Sequence, residues 1–229
     1  MTYTIVISDL HGMSNLLDKA LVKIDNSGLE VSKIVFTGDY VDRGPDSAGV
    51  VDLVRKLVGS GEAIALKGNH EELMYTAFDD DGEYVSGRSP WWLPNGGLET
   101  IESYHTKYFR DEGSWLKMRW DAVWMKSLPL YHLDDFRIYV HGFADPNQPD
   151  PDKFLPDVTM WERYDKTEDF GWYGKHVVHG HTPRKKPELK VHRTNLDTGA
   201  VFGGPLSVGV FDDTIPGGPI DVWEITGGA

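Results

Sequence analysis

The sequence predicts an α/β protein built on a parallel sheet. Over the first seventy residues, short apolar runs alternate with helix-like segments, the order that joins parallel strands through helices. Five apolar runs along the chain each end beside a glycine and an aspartate, histidine or asparagine. The chain has 229 residues, of which 40% are hydrophobic, enough for one sizeable core. We therefore expect residues 1–229 to form a single domain.

The amino-terminal part predicts strand, helix, strand, helix and strand in turn. The first helix is expected to have Ser14 as a candidate cap and to present Leu17, Ala20, Leu21 and Ile24 on its apolar face. The second helix is expected over 47–58. The three strands are expected at 3–8, 34–37 and 63–67, where short runs of apolar and β-branched residues lie.

The middle of the chain differs in composition from both ends. Five of the eight tryptophans fall between residues 71 and 130, and a Pro- and Gly-containing segment at 90–97 interrupts the helical pattern. We expect a helical cap insertion over about 72–130, with the acidic segment 79–83 as a solvated loop. Strands are expected at 136–140 and 176–179, followed by short strands and glycine turns from 194 to 225.

Composition and charge exclude several kinds of function. The net charge is −13, which argues against binding to nucleic-acid backbones and to anionic membranes. The chain has no cysteine, so disulfides, thiolate nucleophiles and cysteine zinc sites are ruled out. Without a basic amino-terminal region or an apolar run near the ~20 residues of a membrane span, we expect a cytoplasmic protein. The oligomeric state stays open.

The residues at the predicted strand ends form a set of metal-ligating type. Oxygen and imidazole donors without sulfur suit manganese, iron, zinc or magnesium. Six donors exceed the need of one ion with an open position, so we expect two divalent ions that would together activate water and bind a phosphoryl group. Asp9 and His11 are two residues apart, which on an extended backbone would point both to one face. The set is Asp9, His11, Asp39, Asn69, His141 and His181.

Two motifs carry a family resemblance. The segment Gly38-Asp39-Tyr40-Val41-Asp42-Arg43-Gly44, followed by Gly68-Asn69-His70-Glu71, resembles the signature of the phosphoprotein phosphatase family of calcineurin-like metallophosphoesterases. Ser8–Gly12, His141-Gly142 and Gly180–Thr182 are similar to the other motifs of that family, in particular of its small bacterial and phage serine/threonine phosphatases. The resemblance implies a sandwich of mixed β-sheets flanked by helices.

The resemblance also implies a ligand set for the two ions. Asp9 and His11 would hold the first ion and Asp39 would bridge the two. The second ion would be held by Asn69, His141 and His181. Manganese is the expected metal, with iron, zinc and magnesium as alternatives.

The remaining motif residues have implied roles in catalysis and substrate binding. His70 would be the general acid that protonates the leaving oxygen, and Asp42 would fix its tautomer, since a carboxylate favours a protonated imidazole. Arg43 and Arg163 would bind phosphate oxygens, for which a bidentate guanidinium is suited. Asn69 would add a donor to the phosphate.

The expected activity is metal-dependent hydrolysis of phosphomonoesters by direct attack of a hydroxide that bridges the two ions. The leading substrate class is phosphoserine or phosphothreonine protein. A symmetrical dinucleoside polyphosphate hydrolase, such as one acting on diadenosine tetraphosphate, is the alternative, because such enzymes share these motifs. A metal-bound binding protein without turnover is a minor third reading.

Other residues leave alternatives open. His179 alternates with His181 and is either an extra ligand or, as we favour, a packing residue behind the ligands. Trp91 and Trp92 are expected to pack the cap, and a tryptophan at the mouth of the site could stack on a nucleobase or a phosphotyrosine ring. The basic turn Arg184–Lys186 is read as solvated, with attraction of a polyphosphate or an acidic peptide as the alternative.

Overall fold

A computed structural model describes residues 1–79, 83–108 and 112–227. Two five-stranded sheets face each other and helices lie outside them, which confirms the predicted α/β sandwich of mixed sheets. The strands are β1 Thr2–Ile7, β2 Glu30–Phe36, β3 Ala63–Ala65, β4 Tyr131–Leu133, β5 Arg137–Val140, β6 His176–His179, β7 Glu188–Leu189, β8 Arg193–Asn195, β9 Leu206–Asp212 and β10 Asp221–Ile225. The α-helices are α1 Ser14–Asn26, α2 Ser47–Gly59, α3 Asn69–Thr76, α4 Gly97–Lys107, α5 Glu112–Lys126 and α6 Pro156–Trp161.

The first sheet has the strand order β10-β9-β1-β2-β3. Its β1–β2 and β2–β3 pairs are parallel, as the alternation of strands and helices predicts, whereas β9 and β10 join antiparallel. The second sheet has the order β4-β5-β6-β8-β7, with β5, β6 and β8 parallel and the two edge strands antiparallel. The carboxyl ends of the parallel strands in both sheets therefore supply one shared site.

Neighbouring residues of the central strands are buried on opposite faces, which explains why their sequences are apolar without alternation. Val6 of β1 and Tyr139 of β5 enter the layer between the sheets. Ile5 and Ile7 face the helices on the outside of the first sheet, while Ile138 faces an aromatic cluster outside the second. Burial of both faces holds the strand ends in fixed positions.

The helical segments largely follow the expected bounds, but one cap differs. Ser14 is the first residue of α1 and its side chain makes no capping hydrogen bond. The α2 helix is capped by Asp46, whose Oδ1 accepts from the backbone N–H of Gly49 over 2.9 Å. Strand β2 begins at Glu30, whereas the predicted strand begins at residue 34. The first half of β2 was missed because it is partly exposed and lacks a continuous apolar run.

Helices α3, α4 and α5 occupy the segment expected to form the helical cap. Tyr104, Met118 and Met125 from this segment pack into the same apolar cluster as α1, α2 and the first sheet. The extent of the cap and the single-domain organisation stay predictions. Of the acidic segment 79–83, residues 80–82 lie outside the described residues. Within the described part of the chain, no helix has the length and apolar character to cross a membrane.

Candidate active site

The turns that follow the strands converge on one pocket of about 190 Å³. Eight of the ten residues predicted to form the site line it, and the other two, Asp42 and His141, are buried directly behind it and bonded to lining residues. The eight are Asp9, His11, Asp39, Arg43, Asn69, His70, Arg163 and His181.

The turns that carry these residues have an unusual backbone. Among the described residues, seven other than glycine have a positive φ, and six of them are predicted site residues. Such conformations cost energy and persist where the surroundings fix them, commonly at functional sites. The predicted reason for the common direction of Asp9 and His11, an extended backbone, is wrong, because their φ angles are 49° and 41°. The remaining four are Asp39, Asp42, Arg43 and His181.

Asp39 lies at the centre of the site, between two groups of donors. Its Oδ2 is 3.4 Å from Nε2 of His11, and its Oδ1 is 3.3 Å from Nε2 of His141. Asp39 belongs to two sets of possible ligand atoms. Within each set, all the atoms lie within 4.8 Å of one another. One set contains His11 and His70, the other His141 and His181. This arrangement, with one carboxylate oxygen toward each group, is what a bridging ligand requires.

Three imidazoles of the site use one nitrogen for a backbone carbonyl and turn the other toward the donor groups that share Asp39. Nδ1 of His11 donates to the carbonyl of Val41 over 2.8 Å, and Nδ1 of His141 to that of Thr37 over 2.9 Å. Metal-ligating histidines typically donate their second N–H in this way. The residues present therefore fit divalent cations. For His181 the carbonyl is that of Trp161, 3.2 Å from Nε2.

The electrostatics of the site also favour added positive charge. Burial raises the pKa of Asp9 well above its usual value, and the nearby carboxylates of Asp197 and Asp39 raise it further. Burial likewise raises the pKa of Asp197 to about 6. Burial alone would lower the pKa of His141, but Asp39 and Asp9 outweigh it and raise that pKa to about 10. Buried carboxylates that hold a proton on a neighbouring imidazole are suited to hold a metal ion in its place.

Asp9 is held differently from the other predicted ligands. Both of its carboxylate oxygens accept from the backbone N–H of His181, at 3.0 and 3.1 Å, and the hydroxyl of Ser8 donates to Oδ2. A Cβ at Gly180 would lie 1.9 Å from that same Oδ2, so only glycine fits there. The donor groups around Asp39 contain His70 and do not contain Asp9. Its role as a ligand stays a prediction.

His70 and Asp42 form a buried pair. Nδ1 of His70 is 2.8 Å from Oδ2 of Asp42, which leaves Nε2 as the nitrogen available on the pocket side. The second carboxylate oxygen, Oδ1, accepts from the indole N–H of Trp92 over 2.9 Å and from the hydroxyl of Thr100 over 2.7 Å. Burial raises the pKa of Asp42, whereas the hydrogen bond with His70 lowers it. The pair is thus oriented by residues from the helical segment.

The two predicted phosphate-binding arginines lie on the same pocket. Nη1 of Arg43 donates to Nε2 of His11 over 2.8 Å, and its backbone N–H donates to the carbonyl of Gly96 over 3.2 Å. Arg163 is exposed and its Nε lies 3.3 Å from Nε2 of His181. Two guanidinium groups beside the donor groups give the mouth of the site the positive charge that phosphate requires.

Sequence reasoning assigns no role to several residues that shape the site. Glu71 accepts from the backbone N–H groups of Asp39, Tyr40 and Gly68 at 2.7–2.8 Å and so joins two of the turns. Its position in the second motif is the signal that could have found it. The hydrogen bonds of Trp92 and Thr100 to Asp42 have no comparable signal, because they come from packing between segments distant in sequence.

The residues left open take the following positions. His179 is buried, with Nε2 3.3 Å from Nη1 of Arg193 and its ring against Tyr164, and it does not line the pocket. These contacts support a packing role. Trp92 is buried while Trp91 is exposed and lies outside the pocket lining. The aromatic residues that line the pocket are Trp161 and Phe202.

An α/β sandwich with a shared aspartate, paired histidine groups and two arginines at its mouth has the construction of a metal-dependent phosphoric ester hydrolase. The family model of calcineurin-like phosphoesterases matches residues 3–203, and the chain belongs to this family. The family uses a dinuclear centre of divalent metal ions. The predicted fold, family resemblance and enzyme class are confirmed.

Two curated relatives carry the same name, asymmetrical bis(5'-nucleosyl)-tetraphosphatase PrpE. The protein from Oceanobacillus iheyensis is 30% identical over 224 residues, covering 88% of this chain and 86% of its own. The protein from Bacillus thuringiensis is 30% identical over 225 residues, covering 88% and 87%. The name of these relatives favours the dinucleotide hydrolase, which was our alternative, over the protein phosphatase, which was our leading expectation. Their name also says asymmetrical, whereas the alternative that we expected from the motifs was a symmetrical hydrolase.

Solved structures share the fold with different substrate classes. A serine/threonine phosphatase from Saccharomyces cerevisiae with similarity to human phosphatase PP5 has a TM-score of 0.69 at 16% identity, covering all of this chain and 81% of its own. A cold-active protein-tyrosine phosphatase from Shewanella has a TM-score of 0.61 at 18% identity, covering 92% and 75%. At these identities the likeness concerns the fold alone, which does not select the substrate.

Proposed function

We propose that this protein hydrolyses dinucleoside tetraphosphates asymmetrically, to a nucleoside triphosphate and a nucleoside monophosphate. Hydrolysis would break one P–O bond of a P–O–P bridge. The OH of water would bond to that phosphorus, and the proton would go to the departing oxygen. The observation that carries the hydrolytic part is Asp39, with one oxygen toward each of two donor groups, beside the His70–Asp42 pair. The choice of substrate is supported by the curated relatives of 30% identity.

The donor set proposed for the two ions is the one expected from the sequence. Asp9 and His11 would hold one ion, Asn69, His141 and His181 the other, and Asp39 both. Oxygen and nitrogen donors without sulfur suit manganese, iron, zinc and magnesium alike, and manganese is the native metal that we propose. When bound, the ions would supply positive charge to the phosphoryl oxygens and acidify water.

The side chains around this centre have separate proposed tasks. Arg43 and Arg163 bind phosphate oxygens, since both guanidinium groups line the pocket. The amide of Asn69 contributes a further contact to phosphate. His70 gives a proton from Nε2 to the departing oxygen, and Asp42 holds Nδ1 so that this tautomer faces the pocket.

Product analysis on competing substrates tests the proposal. The metal-free protein, restored with Mn²⁺, would be assayed on diadenosine tetraphosphate and on a phosphothreonine peptide, with a chelated sample as the control. We expect ATP and AMP in equal amounts and much slower release of phosphate from the peptide. Formation of two ADP per substrate would show that cleavage is symmetrical and would contradict the asymmetrical reaction. Faster turnover of the peptide than of the dinucleotide would contradict the proposal and support a protein phosphatase, the leading expectation from sequence.

A further inference from the structure

The rim of the pocket carries an exposed aromatic ring that no proposed role uses. Phe202 ends the short 3₁₀ helix Ala200–Phe202 and lines the pocket, yet its side chain is 66% exposed. An aromatic ring exposed at the mouth of a site offers its face for stacking against a bound molecule.

The ring is fixed beside the phosphate-binding machinery. The guanidinium of Arg43 lies over the ring of Phe202, with its carbon 5.5 Å from the ring centroid. The 3₁₀ helix is bounded by Gly199 and Gly203, which both have a left-handed backbone. Arg43 thus occupies one part of the ring surface, and the exposed remainder is available for stacking.

The size of the pocket decides where a nucleoside would lie. Sites that enclose a drug-sized molecule have volumes of about 300–1,000 Å³, whereas this pocket has about 190 Å³. Phosphate groups fit such a space, but a base and its sugar do not fit with them. Asymmetrical cleavage breaks the bridge next to the phosphate that carries a nucleoside, so one base must lie within a sugar's length of the arginines.

We propose that Phe202 is the stacking platform for the nucleobase nearest the cleaved bridge. This inference rests on the proposed function and adds a base-binding position to it. The other rim aromatic, Trp161, offers less free ring surface, because it is 40% exposed and its indole is tethered to Glu72 by a hydrogen bond of 3.1 Å. An aromatic face binds any base, so the platform serves adenine and guanine alike.

A pair of inhibitors that differ only in the base tests the platform. Hydrolysis of glycerol 2-phosphate, a substrate without a ring, would be inhibited with AMP and with ribose 5-phosphate. For the unmodified protein we expect a Ki for AMP about tenfold below that for ribose 5-phosphate, as base–aromatic stacking contributes. In Phe202→Ala this ratio should fall to near one, with the Ki for ribose 5-phosphate unchanged. Phe202→Tyr should keep the tenfold ratio.

The matched control is Trp91→Ala. Trp91 is also exposed, at 69%, but does not line the pocket, so its removal should leave both inhibition constants as they are. An unchanged ratio in Phe202→Ala would overturn the platform. Equal weakening of both inhibitors would also overturn it, by showing that Phe202 acts only through Arg43.

The same variants separate this inference from the proposed function. If the unmodified protein fails to cleave diadenosine tetraphosphate but Phe202→Ala still abolishes the AMP preference, the substrate proposal fails and the base platform stands. If Phe202→Ala raises KM for a phosphothreonine peptide and leaves the AMP preference intact, the ring serves a peptide and the platform is overturned.

Discussion

The indole N–H of Trp92 donates to Oδ1 of Asp42 over 2.9 Å, while Oδ2 of the same carboxylate meets Nδ1 of His70 at 2.8 Å. Trp92 comes from the helical segment, and His70 lies in the first turn of the α3 helix, after a strand of the first sheet. The orientation of the proposed acid is therefore set by a residue that never reaches the pocket. If His70 is the acid, the helical segment takes part in positioning it through this hydrogen bond.

We expect Trp92→Phe to impair protonation of the departing group. A hydrogen bond to a charged carboxylate contributes about 1.5 kcal/mol, which corresponds to roughly tenfold in rate. The loss should appear in kcat for phenyl phosphate, whose phenolate leaves poorly without a proton. It should be small for p-nitrophenyl phosphate, whose leaving group needs little assistance.

Trp124→Phe is the control, because Trp124 packs on the same apolar cluster without contacting Asp42. An equal loss on both phenyl esters for Trp92→Phe would assign this tryptophan a purely structural role.

Gly96 contacts the backbone of Arg43, and its replacement should damage substrate binding. A Cβ there would lie 2.3 Å from the backbone nitrogen of Arg43, and its φ is 106°. Gly87 has a φ of 81° with nothing within 4 Å. Gly87→Ala therefore reproduces the backbone strain of about 1 kcal/mol without the collision. We expect Gly96→Ala to raise KM for phosphate esters about tenfold or more and Gly87→Ala to leave it unchanged. Equal KM values in the two variants would show that the contact between Gly96 and Arg43 does not affect substrate binding.

Asp39→Asn should abolish binding of both metal ions together, since Asp39 belongs to both donor groups. Mn²⁺ at a hundred times its Kd should stabilise the metal-free protein by about 2.7 kcal/mol per site. For a protein of this size that is a rise in Tm of roughly 5–10 °C. The variant should show neither the rise nor bound manganese by elemental analysis. Asp52→Asn, at a carboxylate paired with Lys117 away from the pocket, should keep both. One retained ion in Asp39→Asn would contradict the bridging role.

The stability of the metal-free protein should fall with acid through His176. Burial lowers the pKa of its imidazole from 6.5 to about 4. Between these values the unfolded chain binds a proton that the folded chain does not, so the free energy of unfolding decreases as the pH falls from 6.5 to 4. The slope from one such group is up to about 1.4 kcal/mol per pH unit.

His176→Gln should reduce that slope, measured by urea unfolding in the presence of a chelator. Trp91→Ala is the control, because its exposed side chain carries no titrating proton and its removal should leave the slope unchanged. A slope that is the same in His176→Gln as in the unmodified protein would remove His176 from the account.

Residues near in sequence to a strand end are predictable, because the ends of parallel strands meet. That rule alone brings Asp9, Asp39, Asn69 and His141 together, and the family motifs add His70. The order of strands and helices follows from runs that are apolar on both faces. Even so, the rule gives the wrong geometry for Asp9, since it assumes an extended chain where the backbone is left-handed.

Contacts between distant segments are not predictable in the same way. The composition of the helical segment predicts that Trp92 packs, yet its indole donates to Asp42, and nothing in the spacing of the two residues shows that hydrogen bond. The exposure of Phe202 depends on how a turn late in the chain meets Arg43. Serine is a common capping residue, yet Ser14 does not cap α1, because Met13 occupies the N-cap position and Ser14 is the first helical residue.

The left-handed turns of the centre have a consequence for anyone who would rebuild it elsewhere. A designer who placed the ten side chains on another α/β scaffold with ordinary turns would obtain the right composition with the wrong directions. Even the arginine of the mouth, Arg43, has a φ of 70°. The catalytic identity of this protein is therefore not portable as a list of side chains, and a transplant would have to carry the loops, and the layers that force them into shape, as one unit.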